Sequence, residues 1–230
     1  MIVKEQSGGV GFEQPPEGTH IARCVRLIDV GTQTDEYQGK IKTRRQVIIG
    51  WELPGELMGE GDYAGQPFMT SAFYTMSLDE RANLRRDLSN WRGRDFSEEE
   101  LEGFDLKNIL GHLCQVALTK NAKGRMKVTG VFALPKMIDQ NSPDLAQVNP
   151  SLIFDLDDFS DEVYDSLSDG YKRMINDSPE YRMIMNERDT AIKHQDLAHE
   201  PDGEDMAAML ASEFDARPVD DDDDLSIVPF

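Results

Sequence analysis

The chain has 230 residues, 44 Asp+Glu against 24 Lys+Arg, and a formal net charge of -20. The charge is unevenly divided: up to Lys136 there are 18 Lys+Arg against 19 Asp+Glu, whereas the remaining 94 residues hold 6 against 25. No run of about 18 apolar residues exists to cross a bilayer, MIVKEQSGG lacks the apolar core of a signal peptide, and Cys24 and Cys114 have no CxxC or Cys/His spacing; the expectation is a cytoplasmic protein with two reduced, buried thiols, no metal and no cofactor.

After an N-terminal arm (residues 1–17), residues 18–136 read as strand-rich with one helical interruption. GTHIARCVRLIDV, RRQVIIGWEL and PFMTSAFYTMSL have the β-branched and aromatic enrichment of three strands, and HLCQVALTK and GRMKVTGVFAL of two more around a KNAKG turn. Between the third and fourth, SLDERANLRRDLSNWRG predicts an amphipathic helix: Ser77 and Glu80 have capping-box spacing, Leu84, Leu88 and Trp91 recur at helical intervals, and Gly93 closes it. A second box, Ser97 with Glu100, opens a shorter helical piece, and Gly111 is placed to end a last turn. Three strands, a helix and a hairpin is the element order of a five-stranded OB-fold barrel; a generic small barrel or sandwich with a helical insertion is the alternative. Residues 137–195 read as a linker, SPDLAQVNPS, followed by a helical extension, with a short helix near Ser160–Gly170 and another capped by Ser178 with Pro179 at its first position. Residues 196–230 read as an acidic, disordered tail, since like charges repel and little apolar surface is offered for burial.

In an OB-fold, ligands lie across one strand face between the first loop and the last hairpin. Both segments are free of acids in an acidic chain. Tyr37 to Trp51 carries Lys40, Lys42, Arg44 and Arg45, and Leu106 to Lys136 carries Lys107, Lys120, Lys123, Arg125, Lys127 and Lys136. A phosphate backbone would require such a distribution. Strand alternation places Phe73 on a mostly polar face, where a ring beside cations suits base stacking, and Tyr37 sits at a loop tip with little core to join. The candidate DNA-binding set is therefore Tyr37, Lys40, Lys42, Arg44, Arg45, Phe73, Lys120, Lys123, Arg125 and Lys127. Met126, Val128, Phe132 and Leu134 are expected in the core, as are Trp51 and Trp91; Arg23 and Arg26 share a face only if a bulge intervenes.

The chain ends DDDDDLSIVPF. Asp220, Asp221, Asp222, Asp223 and Asp224 could occupy a basic groove when DNA is absent, and Ile227, Val228, Pro229 and Phe230 form an apolar anchor whose terminal carboxylate would meet basic residues on a partner. This tip resembles the C-terminal tip of bacterial single-stranded DNA-binding proteins, an acidic run ending in Ile-Pro-Phe that recruits replication and repair enzymes. Here Leu225 to Ile227 separate the acids from the tip, and Val228 replaces the isoleucine. GTHIARCVRLIDVGTQ, KTRRQVIIGWELPGE and DLSNWRGRDFSEEELEGFDLKNILG are similar to a family of phage-encoded proteins regarded as single-stranded DNA-binding. The resemblance covers residues 15 to 136. It implies an OB-type barrel and sequence-independent single-strand binding, and assigns no individual residue.

The leading expectation is a protein that coats single-stranded DNA during phage replication, recombination or repair, with replication and recombination proteins as partners through the tip; a homodimer stays open. The alternative is an acidic DNA mimic acting on a nuclease or polymerase, for which a basic groove has no use. An enzyme is not expected, because the body has no paired-carboxylate motif, HxxxH, GxxxxGK[ST] or activated nucleophile, and His20, His112, His194 and His199 are scattered.

Overall fold

The structure, a computed structural model, describes residues 13–37 and 39–197. The described residues up to Met183 form one compact unit, and those from Ile184 onward belong to a second.

Among the described residues the first unit has six strands: β1 (Gly18–Tyr37), β2 (Lys40–Leu57), β3 (Pro67–Thr75), β4 (Leu113–Lys120), β5 (Met126–Phe132) and β6 (Leu152–Phe154). The sheet order is β3-β2-β1-β4-β5 with antiparallel neighbours throughout, whereas β6 runs parallel beside β1. The five expected strands are present, but they do not form a hydrogen-bonded closed barrel. β3 and β5 come within 8 Å, Cα to Cα, without sharing a ladder, so the sheet is open at that seam.

β1 organises the whole. Two irregularities in its register with β2, between Cys24 and Arg26 and between Asp29 and Gly31, bend it so that one edge pairs with β2 while the other serves β4 at residues 18–23 and β6 at residues 26–28. The inward side chains, among them Cys24, Leu27, Val47, Ile49, Trp51 and Val116, form the main core.

The helix α1 (Asn83–Arg92) packs on this core through Leu84, Leu88 and Trp91, and Trp91 Nε1 donates to the Leu113 carbonyl at 2.8 Å. It begins later than its sequence suggests. The expected box at Ser77 does not form: Ser77 Oγ accepts from the Asp79 amide and Asp79 Oδ1 from the Arg81 amide, two local turns that compete with helix. Gly93 does end the helix, in the left-handed region at φ 69°. The second box forms as expected, opening α2 (Glu98–Glu102), and a 3-10 turn at Leu106–Ile109 leads to Gly111 and β4.

Up to Met183 the extension is part of the first unit. α3 (Asp161–Ser166), α4 (Asp169–Asp177) and α5 (Pro179–Leu197) follow β6, and α4 lies against the outer face of β1. The attachment is specific: Gln33 Nε2 donates to the Met174 carbonyl at 2.9 Å, and Glu180 accepts from the Thr32 amide at 2.9 Å and hydroxyl at 2.5 Å. Val25, Ile28 and Val30 are accordingly buried, as are Phe154, Leu156, Leu167 and Ile175. The expected cap is in place, Ser178 Oγ accepting from the Tyr181 amide at 3.2 Å. The acidic tail expected from residue 196 lies, beyond Leu197, outside the described residues.

Candidate nucleic-acid interface

Alternation along β2 and β3 assigns two faces. Val47, Ile49 and Trp51 point inward with their partners Tyr74, Ala72 and Thr70, leaving Gln46, Ile48 and Gly50 outward with Thr75, Phe73 and Ser71. Two hollows lie along the outward strip. The larger, about 740 Å³, is lined by Arg26, Ile48, Gly50, Met69, Ser71 and Arg125, with Gln14 and Pro15 on one side and Tyr171 of α4 on another. The smaller, about 440 Å³, is lined by Arg44, Gln46, Phe73, Thr75 and Arg81. Ser71 belongs to one and Phe73, two residues on, to the other, while Ile48 pairs with Phe73. The hollows thus follow one another along this strip, together called the trough below, with Arg125 of the β4–β5 hairpin lining one and Arg44 of the β1–β2 ribbon the other.

The local sequence explains each border. At the hairpin, Asn121 Oδ1 accepts from the Lys123 and Arg125 amides and Gly124 supplies φ +73°, which a side chain would disfavour. Gln14 clamps the same turn, accepting from the Met126 amide at 2.8 Å, and Glu13 accepts from the Gly59 amide at 2.8 Å, so the segment before β1 ties the hairpin to the β2–β3 connection. On the floor, Gly50 makes room for the stem of Arg26: a Cβ there would stand 3.0 Å from Arg26 Cβ.

The expected DNA-binding residues divide. Phe73 is 53% exposed in the trough, and Arg44 and Arg125 line it. Lys42 is exposed at the ribbon and Lys120, Lys123 and Lys127 at the hairpin, beside the trough rather than in its lining. Tyr37 and Lys40 pair through their backbones at the ribbon tip. Arg45 departs from expectation, because one residue of alternation puts it on the inner side. There its guanidinium meets Asp29 at 2.5 Å and Asp157 at 3.0 Å, and these carboxylates, Asp29 foremost, raise its pKa. It lines a separate hollow of about 310 Å³ whose other cation, Lys107, is paired with Asp155 at 3.4 Å.

Of the hairpin residues expected in the core, Val128 is buried and Met126 and Leu134 are half-buried. Phe132 departs, being 43% exposed: Thr129 is an extra residue opposite the Ala117/Leu118 step, so alternation restarts with Val131 inward. Trp51 and Trp91 are buried as expected, their rings 6.3 Å apart. Asp220 to Asp224, Ile227, Val228, Pro229 and Phe230 lie outside the described residues.

Sequence reasoning undervalues Arg26, which needs the bulge at Val25, and misses Arg81 and Tyr171. Pairing separates the arginines of residues 18–136. Arg44, Arg45, Arg85, Arg86, Arg92 and Arg94 are in ion pairs, and Arg23 donates to the Gly111 and Leu145 carbonyls at 2.5 Å each. Arg26, Arg81 and Arg125 have no side-chain hydrogen bond or ion pair among the described residues, and all three line the trough. The lining includes the acids Glu13 and Asp79, both of which accept from backbone amides. The two hollows together are lined by four arginines, Arg26, Arg44, Arg81 and Arg125, against two acids, with the exposed ring of Phe73 in the smaller. Among the described residues no group of three His, Cys, Asp or Glu could hold a metal ion, and no helix is long and apolar enough to cross a membrane. No family model and no curated protein matches this chain.

Proposed function

We propose that the trough binds single-stranded DNA independently of sequence, and that the protein coats exposed strands in the replication and recombination of a phage genome. The observation that carries this reading is that the three arginines of residues 18–136 with no side-chain hydrogen bond or ion pair among the described residues, Arg26, Arg81 and Arg125, all line the two hollows. An unpaired guanidinium keeps its donors for phosphate, whereas one held by a carboxylate must first give that partner up. Phe73 supplies a ring for stacking, Arg44 lines the same hollow but is paired with the exposed Asp35 at 3.6 Å, and Lys42, Lys120, Lys123 and Lys127 are exposed on the ribbon and hairpin. Strand order β3-β2-β1-β4-β5, with a helix on the core between β3 and β4, supports reading the sheet as an OB-type barrel left unpaired at its β3/β5 seam. The acidic tail, Asp220 to Asp224, then competes with DNA for the same cations, and the Phe230 tip recruits replication proteins.

The test is a titration of the full chain with labelled oligo-dT and with duplex of equal length. Binding of oligo-dT that falls steeply with salt, and weaker binding of duplex, is expected. Absence of oligo-dT binding at low salt overturns the reading and favours an acidic DNA mimic.

A further inference from the structure

The extension brings five aromatic residues near the sheet. Phe154, Phe159, Tyr164 and Tyr181 knit into one cluster, with centroids 5.5 Å apart both for Phe154–Phe159 and for the stacked Tyr164–Tyr181 pair. Tyr171 stands apart. Its ring has no aromatic partner, and its hydroxyl no hydrogen bond, among the described residues.

Its position is fixed by α4. Ile175 is fully buried, and Gln33 holds the Met174 carbonyl, so that face of the helix is pinned to β1. Tyr171 lies one turn earlier on the same face, where the helix reaches the hollow of Arg26 and Arg125. A half-buried ring with a free hydroxyl therefore shares a hollow with two guanidiniums that lack anionic partners among the described residues, over a floor that Gly50 and Ser71 keep low.

We infer that Tyr171 stacks on a nucleobase of the strand whose phosphates Arg26 and Arg125 hold, so that the C-terminal extension supplies one wall of the DNA site. The inference rests on the single-strand reading of the trough. It adds a base contact in the hollow remote from Phe73, and one that needs an unpaired base, since a base within a duplex presents no free face to a ring.

The experiment compares oligo-dT with an abasic oligonucleotide of equal length, which keeps the phosphates and removes the bases. Full-length wild-type protein, Tyr171→Ala, Tyr171→Phe and Phe73→Ala are titrated with both. Wild type is expected to prefer oligo-dT; Tyr171→Ala should reduce that preference by about 5- to 150-fold while leaving affinity for the abasic strand unchanged, and Tyr171→Phe should restore it. If Phe73→Ala lowers the preference and Tyr171→Ala does not, the inference is wrong while the single-strand reading stands. If wild type binds neither strand, the reading of the trough itself fails.

Discussion

Replacing Arg26 or Arg125 with Gln should change how binding responds to salt by a calculable amount. Taking Arg26, Arg81 and Arg125, which have no ion pair among the described residues, with one exposed lysine from the ribbon and one from the hairpin, Lys42 and Lys123, a bound strand would have about five phosphates neutralised. For single strands the slope of log affinity against log salt is roughly -0.7 per neutralised phosphate, giving about -3.5, or a loss of about a hundredfold between roughly 50 and 200 mM salt. Removing one guanidinium should reduce the slope by about 0.7, so that the same interval costs about fiftyfold. Gln at 26 keeps an aliphatic stem over Gly50, which limits the change to charge. The control is Arg94→Gln: it removes the same charge from an exposed arginine that is paired with Glu100 at 2.8 Å and lies outside the trough, and the slope should not move. Anisotropy titrations of labelled oligo-dT over a series of salt concentrations measure all three. A wild-type slope in both trough variants, or an equal change in Arg94→Gln, refutes the placement of the phosphates.

Ending the chain after Lys136 uncovers Val25, Ile28 and Val30; at about 1.5 to 3 kcal/mol each this is roughly 5 to 9 kcal/mol, comparable with an entire domain stability of about 5 to 15 kcal/mol. The truncated chain should lack a cooperative urea transition, and a normal one would show the extension to be dispensable. Gly31→Ala should destabilise the intact protein by about 3 kcal/mol, because φ is +70° and the new Cβ would meet the Ser178 Cβ at 2.5 Å; a shift in urea midpoint equivalent to less than about 0.5 kcal/mol contradicts the docking of Ser178 on β1. Burial pushes the Cys24 thiol up to about 12 and the Cys114 thiol well above its ordinary value, so both remain protonated at about pH 8. A disulfide reagent at that pH should label neither in the folded protein and both in denaturant, and rapid labelling of the folded chain would show the thiols to be accessible.

Long strands and capped helices are legible in the sequence because each carries its own signal. Three of the five strands, the Gly93 stop and the Ser97/Glu100 box are close to where period and cap chemistry put them, whereas β1 and β2 run on to Tyr37 and from Lys40 as a paired ribbon through the segment that reads as the first loop. β6 is not legible, since three residues have no period and acquire strand geometry only by pairing with β1. Alternation misassigns Phe132 because a bulge is a single extra residue, invisible until the partner strand is known. The site is half legible for a related reason. Charge counts locate the ribbon and hairpin but do not distinguish Arg44, which lines the trough, from Arg45, which alternation turns toward Asp29 and Asp157. Tyr171 belongs to no motif and reaches the trough only through the packing of α4.

The acidic extension and the cationic trough are two sides of one arrangement. Asp157 reaches back to Arg45 and Asp155 to Lys107, so carboxylates from beyond Lys136 neutralise the cations of the separate inner hollow. Within the body, Asp95 and Glu100 do the same for Arg85, Arg92 and Arg94 around α1. A strand meeting scattered unpaired cations would settle in many registers over the surface. Pairing occupies most arginines of residues 18–136, and the three without a partner among the described residues, Arg125, Arg26 and Arg81, line the two hollows with Tyr171 and Phe73, the path proposed for the strand. Sequence-independent binding still needs such a path, since what it gives up is the identity of the bases and not the course of the backbone.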